Sequence, residues 1–253
     1  MIGQMLDWWA LAGVDCLVDD EAQSWLSTPP KARTGNLAAD TAMATPQAMA
    51  APAASADLRA PIATAPALPL PDDINAFAAW LADPAALPML DPAMVRLPPR
   101  GSMQPRLLVL VDRPEESDAQ SGELLGGPAG RLLDAMMAAI GLLPSDIMVA
   151  SLLPVYLAGG RVEPDWLPPL KITALHLARL AAPKAMLILG DATSRALIGS
   201  NVMEARQELR DIAHDTGSLR AIATFHPRFL LQRPAAKALA WQDLQLLRQH
   251  LDA

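Results

Sequence analysis

The residues best suited to chemistry lie near the C-terminal end, in residues 219–234, which read LRAIATFHPRFLLQRP. The apolar run at 221–225 predicts a short buried strand. Pro227 cannot continue a central ladder, so the strand must end there and leave His226 at its carboxyl edge. Ligands of open α/β sheets bind at that edge, so a titratable imidazole there is a candidate catalytic group.

An apolar patch follows His226 and is flanked by two arginines. Its members are Phe229, Leu230 and Leu231, between Arg228 and Arg233. Such a loop suits a surface that presses into nucleic acid while the imidazole works on a base. The alternative is structural: His226 caps a strand, and the apolar residues belong to an ordinary core. This stretch alone leaves both interpretations open.

Two further strand ends carry polar residues that can meet His226 on one rim of a parallel sheet. Asp112 follows the apolar run 107–111, and Ser151 follows the run 147–150. A carboxylate that faces a histidine across a cleft is a plausible acid–base pair. The alternative is that Asp112 caps a turn and that the acids after it form a solvated loop. Those acids are Glu115, Glu116 and Asp118.

Alternating apolar runs and helical patterns predict the scaffold that positions these residues. Strands are expected at residues 107–111, 147–150, 185–189 and 221–225. Helices are expected at residues 74–81, 128–140, 167–181, 192–198 and 235–251, with a polar loop at 112–127. Strands separated by helices of this length form a mostly parallel sheet covered on both faces. We therefore expect a three-layer α/β/α sandwich over residues 101–253, preceded by a wrapping segment at 72–100.

Composition divides the chain into three parts. Residues 1–26 hold a short amphipathic helix whose Trp8 and Trp9 are expected to dock onto the domain or to bind a protein partner. Residues 27–71 are rich in alanine and proline and poor in large apolar side chains, which predicts a disordered linker. Residues 72–253 form the α/β domain.

Charge and cysteine content narrow the function classes. Most of the net charge of −7 comes from residues 1–100, where five Lys/Arg stand against eleven Asp/Glu. Residues 101–253 hold fifteen Lys/Arg against sixteen Asp/Glu. Neither part has the basic footprint of a tight, non-specific nucleic-acid binder. Cys16 is the only cysteine, which excludes a disulfide framework or a cysteine-bound cluster within one chain.

Several negative patterns set the remaining expectations. No apolar run of about 18 residues predicts a membrane span, and the N-terminus lacks the basic start of a signal peptide. None of the histidines has a partner at metal-ligand spacing. We therefore expect a cytoplasmic monomer without metal or cofactor.

The stretch GGPAG at residues 126–130 opens a predicted helix, and its backbone N–H groups could hold a phosphate. It is not a Walker loop, because no Gly-Lys-Ser/Thr follows it. It is not a dinucleotide fingerprint either, because it does not directly follow a strand. An α/β domain that handles a nucleotide or another small phosphate ligand therefore stays an alternative.

Four motifs in order resemble the uracil-DNA glycosylase superfamily, most closely the family-4-type bacterial enzymes, over about residues 105–250. The family's GEAPG motif, acidic stretch and G-x-PFVG-x-AG turn are met by VDRPEESDAQSGELLGGPAGRLLDAM at 111–136. Its third-strand text P-K-x-I-x-x-L-G-x-x-A is met by PKAMLILGDAT at 183–193, and its HPS-x-LL-R motif by HPRFLLQR at 226–233. Trp241 matches a family-like tryptophan in the last helix.

The resemblance implies hydrolysis of the N-glycosidic bond of uracil, or a related damaged base, in DNA. By it, His226 stabilises charge on the leaving base and Asp112 positions water. Three residues would lie against the base, namely Pro114, Leu125 and Ser151. Four would contact DNA: Phe229 and Leu230 as a wedge, and Arg228 and Arg233 on phosphates.

The departures from the family pattern are equally specific. Leu125 stands where the family has an aromatic that stacks on uracil, at a loss of roughly 1–3 kcal/mol per base. Ser151 replaces an asparagine that reads the uracil edge in two hydrogen bonds. Val155 and Trp166 stand near the places of two cysteines that hold the family's iron–sulfur cluster, so no cluster is expected.

These departures leave two main hypotheses. One is a divergent glycosylase with weakened or altered base specificity. The other is a catalytically silent member that binds a protein or DNA.

Overall fold

The computed structural model describes residues 70–159 and 162–252 of this chain. The predicted helix within residues 1–26 lies outside the described residues. So does the predicted linker, except for its last two residues, Leu70 and Pro71. The three-part division of the chain therefore stays a prediction.

In the described ranges, six strands form one sheet, in the order β1-β3-β2-β4-β6-β5. They are β1 (Arg100–Gly101), β2 (Leu107–Val111), β3 (Ile147–Ser151), β4 (Ala185–Leu189), β5 (Arg210–His214) and β6 (Gly217–Thr224). The four central strands run parallel, with Val109 of β2 opposite Val149 of β3 and Leu187 of β4. The two edge strands pair antiparallel, β1 with β3 and β5 with β6. The carboxyl ends of the four central strands therefore share one edge of the sheet.

Eight α-helices accompany the sheet in the described part of the chain. They are α1 (Ile74–Ala82), α2 (Glu116–Ser121), α3 (Pro128–Ala139), α4 (Leu167–Ala181), α5 (Asp191–Leu197), α6 (Val202–Ala205), α7 (Pro227–Gln232) and α8 (Lys237–Asp252). Helices α3, α7 and α8 pack together, and α1 packs with α4. The sheet and these helices form the three-layer α/β sandwich that the sequence predicts.

Strands β2, β3 and β4 are where the sequence predicts them, because each contains an apolar run that is buried on both faces. Strands β2 and β4 are buried at every residue. Strand β5 was not predicted. It is an edge strand in which only Ile212 is buried, so it has no apolar run. Strand β6 also begins four residues earlier than expected, because its first half pairs with β5.

Two segments predicted as loops contain helices, and these predictions were wrong. Helix α2 lies in the expected polar loop at 112–127 and ends at Gly122, whose φ of +74° favours glycine. Helix α7 follows His226 directly, because proline suits the first turn of a helix and Pro227 occupies it. The last helix begins at Lys237, after a 3₁₀ turn at Pro234–Ala236.

A buried ion pair ties α8 to the end of β6. Asp243 is fully buried, and its two oxygens each accept a hydrogen bond from Arg206 at 3.2 Å. The Thr224 hydroxyl donates to the same carboxylate at 2.7 Å, and the Gln207 N–H donates at 3.1 Å. The anchored strand end lies two residues before His226, so this network helps to position the site.

Candidate active site at the carboxyl edge of the sheet

His226 lies just past the end of β6 and caps α7. Its Nδ1 accepts a hydrogen bond from the backbone N–H of Arg228 at 3.1 Å, so the neutral ring carries its proton on Nε2. The side chain is 4% exposed. Burial lowers the pKa of His226 to about 4, an effect that Asp112 opposes and that Arg228 and Arg113 reinforce. The imidazole is therefore neutral at pH 7.

The structure brings His226 and Asp112 together. His226 Nε2 lies 3.8 Å from Asp112 Oδ1, and neither atom has a hydrogen-bond partner among the described residues. Both atoms are buried, and an unsatisfied buried polar group costs about 1–3 kcal/mol. The chain leaves a buried donor and a buried acceptor unpaired side by side, which marks the two residues as candidate catalytic groups.

The second oxygen of Asp112 is held by two guanidinium groups. Arg113 Nη1 lies 3.2 Å from Oδ2, and Arg228 Nη2 lies 3.5 Å from it. Arg228 also pairs with Glu115 at 3.4 Å. Burial raises the pKa of Glu115, an effect that Arg228 partly offsets. Arg228, predicted as a phosphate contact, is thus engaged with two carboxylates within the site.

Asp118 contradicts the interpretation of its segment as a solvated acidic loop. The side chain is buried, and its oxygens accept hydrogen bonds from the backbone N–H groups of Gly126 at 3.1 Å and Glu115 at 3.0 Å. It therefore closes the segment that carries α2. The sequence signal was its place three residues after Glu115, the spacing of a capping box.

The three predicted base-binding residues are buried or partly buried, and none of them lines the cavity that His226 lines. Leu125 is buried in the core with a φ of +54°, and its carbonyl packs so closely on Gly130 that a Cβ there would overlap it. Ser151 Oγ is buried without a partner in the described chain, and Ser151 lines a small cavity of about 10 Å³ among apolar residues. Pro114 is buried as well. Their contact with a base stays a prediction.

Helix α7 divides the predicted apolar patch between core and surface. Leu230 is 1% exposed and packs with α3 and α8, so the expectation that it wedges into DNA is corrected. Phe229 and Leu231 are 40% and 43% exposed. Phe229 stacks on Phe225, with ring centroids 5.2 Å apart and planes at 26°. Arg233 is exposed at the end of α7.

An open cavity of about 630 Å³ lies beside the His226–Asp112 pair. Both residues line it, together with Val202, Met203, Phe225 and Phe229. Gly190, at the turn after β4, also lines the cavity and has a φ of +91°. A Cβ at this position would lie 3.4 Å from the Cβ of His226. Asp191, Arg195, Arg228 and Gln232 also line the cavity, so its walls combine apolar side chains with charged and polar ones.

Val155 and Trp166, which the resemblance places near two cysteines of a cluster, carry no side-chain ligand for iron. Val155 is fully buried and bridges to Arg96 across the chain, and Trp166 packs partly buried against the core. Neither side chain offers a thiolate. Within residues 70–159 and 162–252, no group of three or more His, Cys, Asp or Glu side chains could hold a metal ion.

The fold and the site define a class: a three-layer α/β protein with a buried histidine–carboxylate pair at the carboxyl edge of its parallel strands. The sequence model of the Uracil DNA glycosylase superfamily matches residues 98–245, which is more than half of the chain. The protein belongs to this superfamily. The matched range runs from just before β1 into α8. In the described part of the chain, no helix is long and apolar enough to cross a bilayer.

Proposed function

We propose that this protein is a divergent DNA glycosylase, which hydrolyses the N-glycosidic bond of uracil or a related damaged base. One observation carries the proposal: a buried, neutral His226 presents an unpaired Nε2–H beside an unpaired oxygen of Asp112. Membership of the superfamily supports action on DNA.

His226 would stabilise the leaving base. When the bond between C1′ and the base breaks, the electron pair goes to the base, and negative charge develops on the ring nitrogen and on the carbonyl oxygen next to it. The Nε2–H donates a hydrogen bond to that oxygen, and a neutral imidazole does so without giving up its proton. The depressed pKa of His226 keeps it in this form across the neutral range.

Asp112 would orient the nucleophile. Its free Oδ1 accepts a hydrogen bond from a water molecule, while Arg113 and Arg228 hold Oδ2. The water oxygen bonds to C1′ and loses a proton to the carboxylate, and the released base takes up a proton in turn. The negative carboxylate also stabilises the positive charge that develops on the sugar.

Contacts to DNA would come from α7 and its ends. Phe229 offers an exposed ring, and Arg233 is exposed at the end of the helix. Arg228 would exchange its carboxylate partners for a phosphate. Leu230 has no part in this proposal, because it is in the core.

Single-turnover excision tests the proposal. Excess protein is mixed with uracil-containing single-stranded and duplex oligonucleotides, and alkali-labile breaks are counted. We expect excision that falls about 10²–10³-fold in His226→Ala, the loss seen when one donor to a developing oxyanion is removed. Asp112→Asn should lose excision and keep DNA binding. His250→Ala on α8, outside the site, is the matched control.

A second function has its own support: a glycosylase fold without activity that binds DNA or a protein. The support is that Leu125 and Ser151 do not line the cavity at His226 and that Arg228 is tied to two carboxylates. Oligonucleotides that stay uncleaved in every reaction, although the protein binds them, would establish this second function. The partner predicted for Trp8 and Trp9 belongs to this alternative.

A further inference from the structure

Four charged side chains form a network across the rim of the site. Arg113 and Arg228 both contact one carboxylate oxygen of Asp112, at 3.2 Å and 3.5 Å. Arg228 also reaches Glu115 at 3.4 Å. We propose that Glu115 regulates DNA binding: it holds Arg228 in the free protein, and a backbone phosphate must displace it to gain this arginine. The inference rests on the proposed function for its ligand, a DNA strand, and adds a regulating residue to that site.

Arg228 is held loosely enough to change partners. Its side chain is 36% exposed and lines the open cavity. Its two carboxylate contacts, at 3.4 Å and 3.5 Å, are longer than the roughly 2.7–2.9 Å of strong charge-assisted hydrogen bonds. Arg206 shows the opposite case, since it is 6% exposed and holds both oxygens of Asp243 at 3.2 Å. The planar guanidinium fork matches phosphate as it matches carboxylate, so an incoming phosphate can take Arg228 from its present partners.

Asp112 keeps a counter-charge when Arg228 leaves. Its side chain is 10% exposed, so loss of every cation would leave a buried charge unpaired, which is costly. Arg113 stays on the same oxygen at 3.2 Å, the shorter of the two contacts. The second arginine is therefore dispensable for the charge balance of Asp112.

Glu115 is the group that displacement of Arg228 leaves without a cation. Its side chain is 20% exposed, and Arg228 is its only ion-pair partner within the described residues. Burial raises the pKa of Glu115, and Arg228 offsets this effect only in part. Removing Arg228 therefore leaves a partly desolvated carboxylate unpaired, which is unfavourable. This cost is subtracted from every phosphate contact that Arg228 makes, so Glu115 weakens DNA binding.

The outer charges of the network are particular to this chain. Residues 111–115 read VDRPE where the motif they resemble reads GEAPG. Arg113 and Glu115 thus take the places of an alanine and a glycine, neither of which carries a charge. Regulation of Arg228 by a carboxylate is therefore a feature of this protein and not of the motif.

Binding to undamaged DNA tests the regulation by Glu115. Fluorescence anisotropy measures the affinity of the full-length protein for a short fluorescein-labelled thymidine strand at about 0.1 M salt, where exposed charges more than about 10 Å apart are largely screened. Glu115→Gln keeps the size of the side chain and removes its charge. Glu116→Gln is the matched control, because it removes the same charge from the next residue, which is exposed and outside the network. We expect Glu115→Gln to bind about two- to fivefold more tightly than Glu116→Gln, the range of a partly exposed ion pair.

The same comparison without the arginine shows whether Glu115 acts through Arg228. Arg228→Gln removes the cation and should weaken binding of the strand. In this background Glu115→Gln and Glu116→Gln should have equal affinities, because no arginine is left for Glu115 to hold. Thermal melting shows that each variant is folded, and Arg228→Met, which keeps a long unbranched stem, replaces Arg228→Gln if that variant does not fold.

The outcomes distinguish this inference from the proposed function. Equal affinities of Glu115→Gln and Glu116→Gln overturn it, as does a lack of binding in every variant. A difference that persists in the Arg228→Gln background also overturns it, because Glu115 would then repel DNA directly. So does wild-type affinity in Arg228→Gln, since no phosphate would be using the arginine. Excision of uracil is scored separately and can be found in any of these cases, whereas coupling of Glu115 to Arg228 without excision overturns only the proposed activity.

Discussion

The buried imidazole of His226 makes the stability of this protein depend on pH below neutrality. Its pKa is about 4 in the folded protein, against 6.5 for the unperturbed group. Between these values the unfolded chain binds a proton that the folded protein does not, so the free energy of unfolding falls as the pH falls from 6.5 towards 4. Below pH 4 both states are protonated, and this contribution does not change further.

The prediction is measured by urea unfolding at pH 7 and pH 4.5. We expect this group to contribute a loss of about 2–3 kcal/mol over that interval, since one pKa unit is about 1.4 kcal/mol. His226→Gln replaces the imidazole with a polar side chain that cannot be protonated. The free energy of unfolding of this variant should therefore fall less over the interval than that of the wild type, by about that amount. Equal losses in the two proteins would mean that His226 is protonated in the folded state well above pH 4.

At the same scale, Arg228 shows why a motif does not reveal a residue's partners. The sequence places it two residues from the candidate catalytic histidine, where a phosphate contact is a natural expectation. In the fold it pairs with Glu115, 113 positions away along the chain. The charges within residues 226–233 do not indicate that Glu115 lies nearby. The pair forms only because the ends of β2 and β6 lie close together in the fold.

At the scale of secondary-structure elements, the ion pair between Asp243 and Arg206 is the joint that fixes α8 to the end of β6. Removing one partner from a buried pair leaves an uncompensated charge and costs about 3–5 kcal/mol. We expect Asp243→Ala to lower the free energy of unfolding by this amount, because Arg206, the Thr224 hydroxyl and the Gln207 N–H all lose their acceptor. Chemical denaturation at pH 7 measures it.

An exposed pair on the same helix serves as the comparison. Arg248 and Asp252 are both more than half exposed, and such pairs contribute about 0–1 kcal/mol. Arg248→Ala should therefore change the free energy of unfolding by less than about 0.5 kcal/mol. The double variant Arg206→Met, Asp243→Leu should recover part of the loss, because a buried pair can be replaced by apolar side chains. If Asp243→Ala lowers the free energy of unfolding no more than Arg248→Ala does, the buried ion pair does not fix α8 to β6.

The helical conformation of α7 decides which of its apolar residues are buried and which are exposed. The sequence shows three adjacent apolar residues after Arg228, and an extended loop would present them alike. As a helix, it turns Leu230 into the core and leaves Phe229 and Leu231 at the surface. The helical period follows from Pro227 at the first turn, but the direction of the core follows from α3 and α8.

At the scale of the whole molecule, the charge distribution predicts weak electrostatic binding to DNA that depends little on salt concentration. Residues 101–253 carry fifteen Lys/Arg against sixteen Asp/Glu, and Arg228 is paired with carboxylates in the site. Each phosphate contact contributes about −0.7 to the slope of log K against log salt for a single strand. We expect a slope between about −1.4 and −2.1 from titrations at 50–200 mM salt, corresponding to two or three contacts.

Arg233 should account for one of those contacts. Arg233→Ala is expected to weaken binding for all sequences alike and to make the slope for a single strand shallower by about 0.7. Arg248→Ala, which removes an exposed arginine of α8, should leave the slope unchanged. A steep wild-type slope, or no change in Arg233→Ala, would show that the phosphates lie on another surface.

What the sequence by itself determined is what short-range patterns can specify. The buried runs of β2 and β4 are apolar throughout and need both faces covered, whichever partners cover them. Pro227 ends a strand by its own chemistry, which leaves His226 at the sheet edge. The ordered motifs also sufficed to indicate the superfamily that the comparison confirms.

Only the tertiary structure decided which of those residues meet and which are left open. Strand β5 exists because β6 offers it a pairing edge, and Asp118 is buried because two backbone N–H groups converge on it. The unpaired atoms of Asp112 and His226 arise from chain segments more than a hundred residues apart. Such contacts depend on how separate elements pack, and no local pattern of side chains records the distance between two atoms across a sheet.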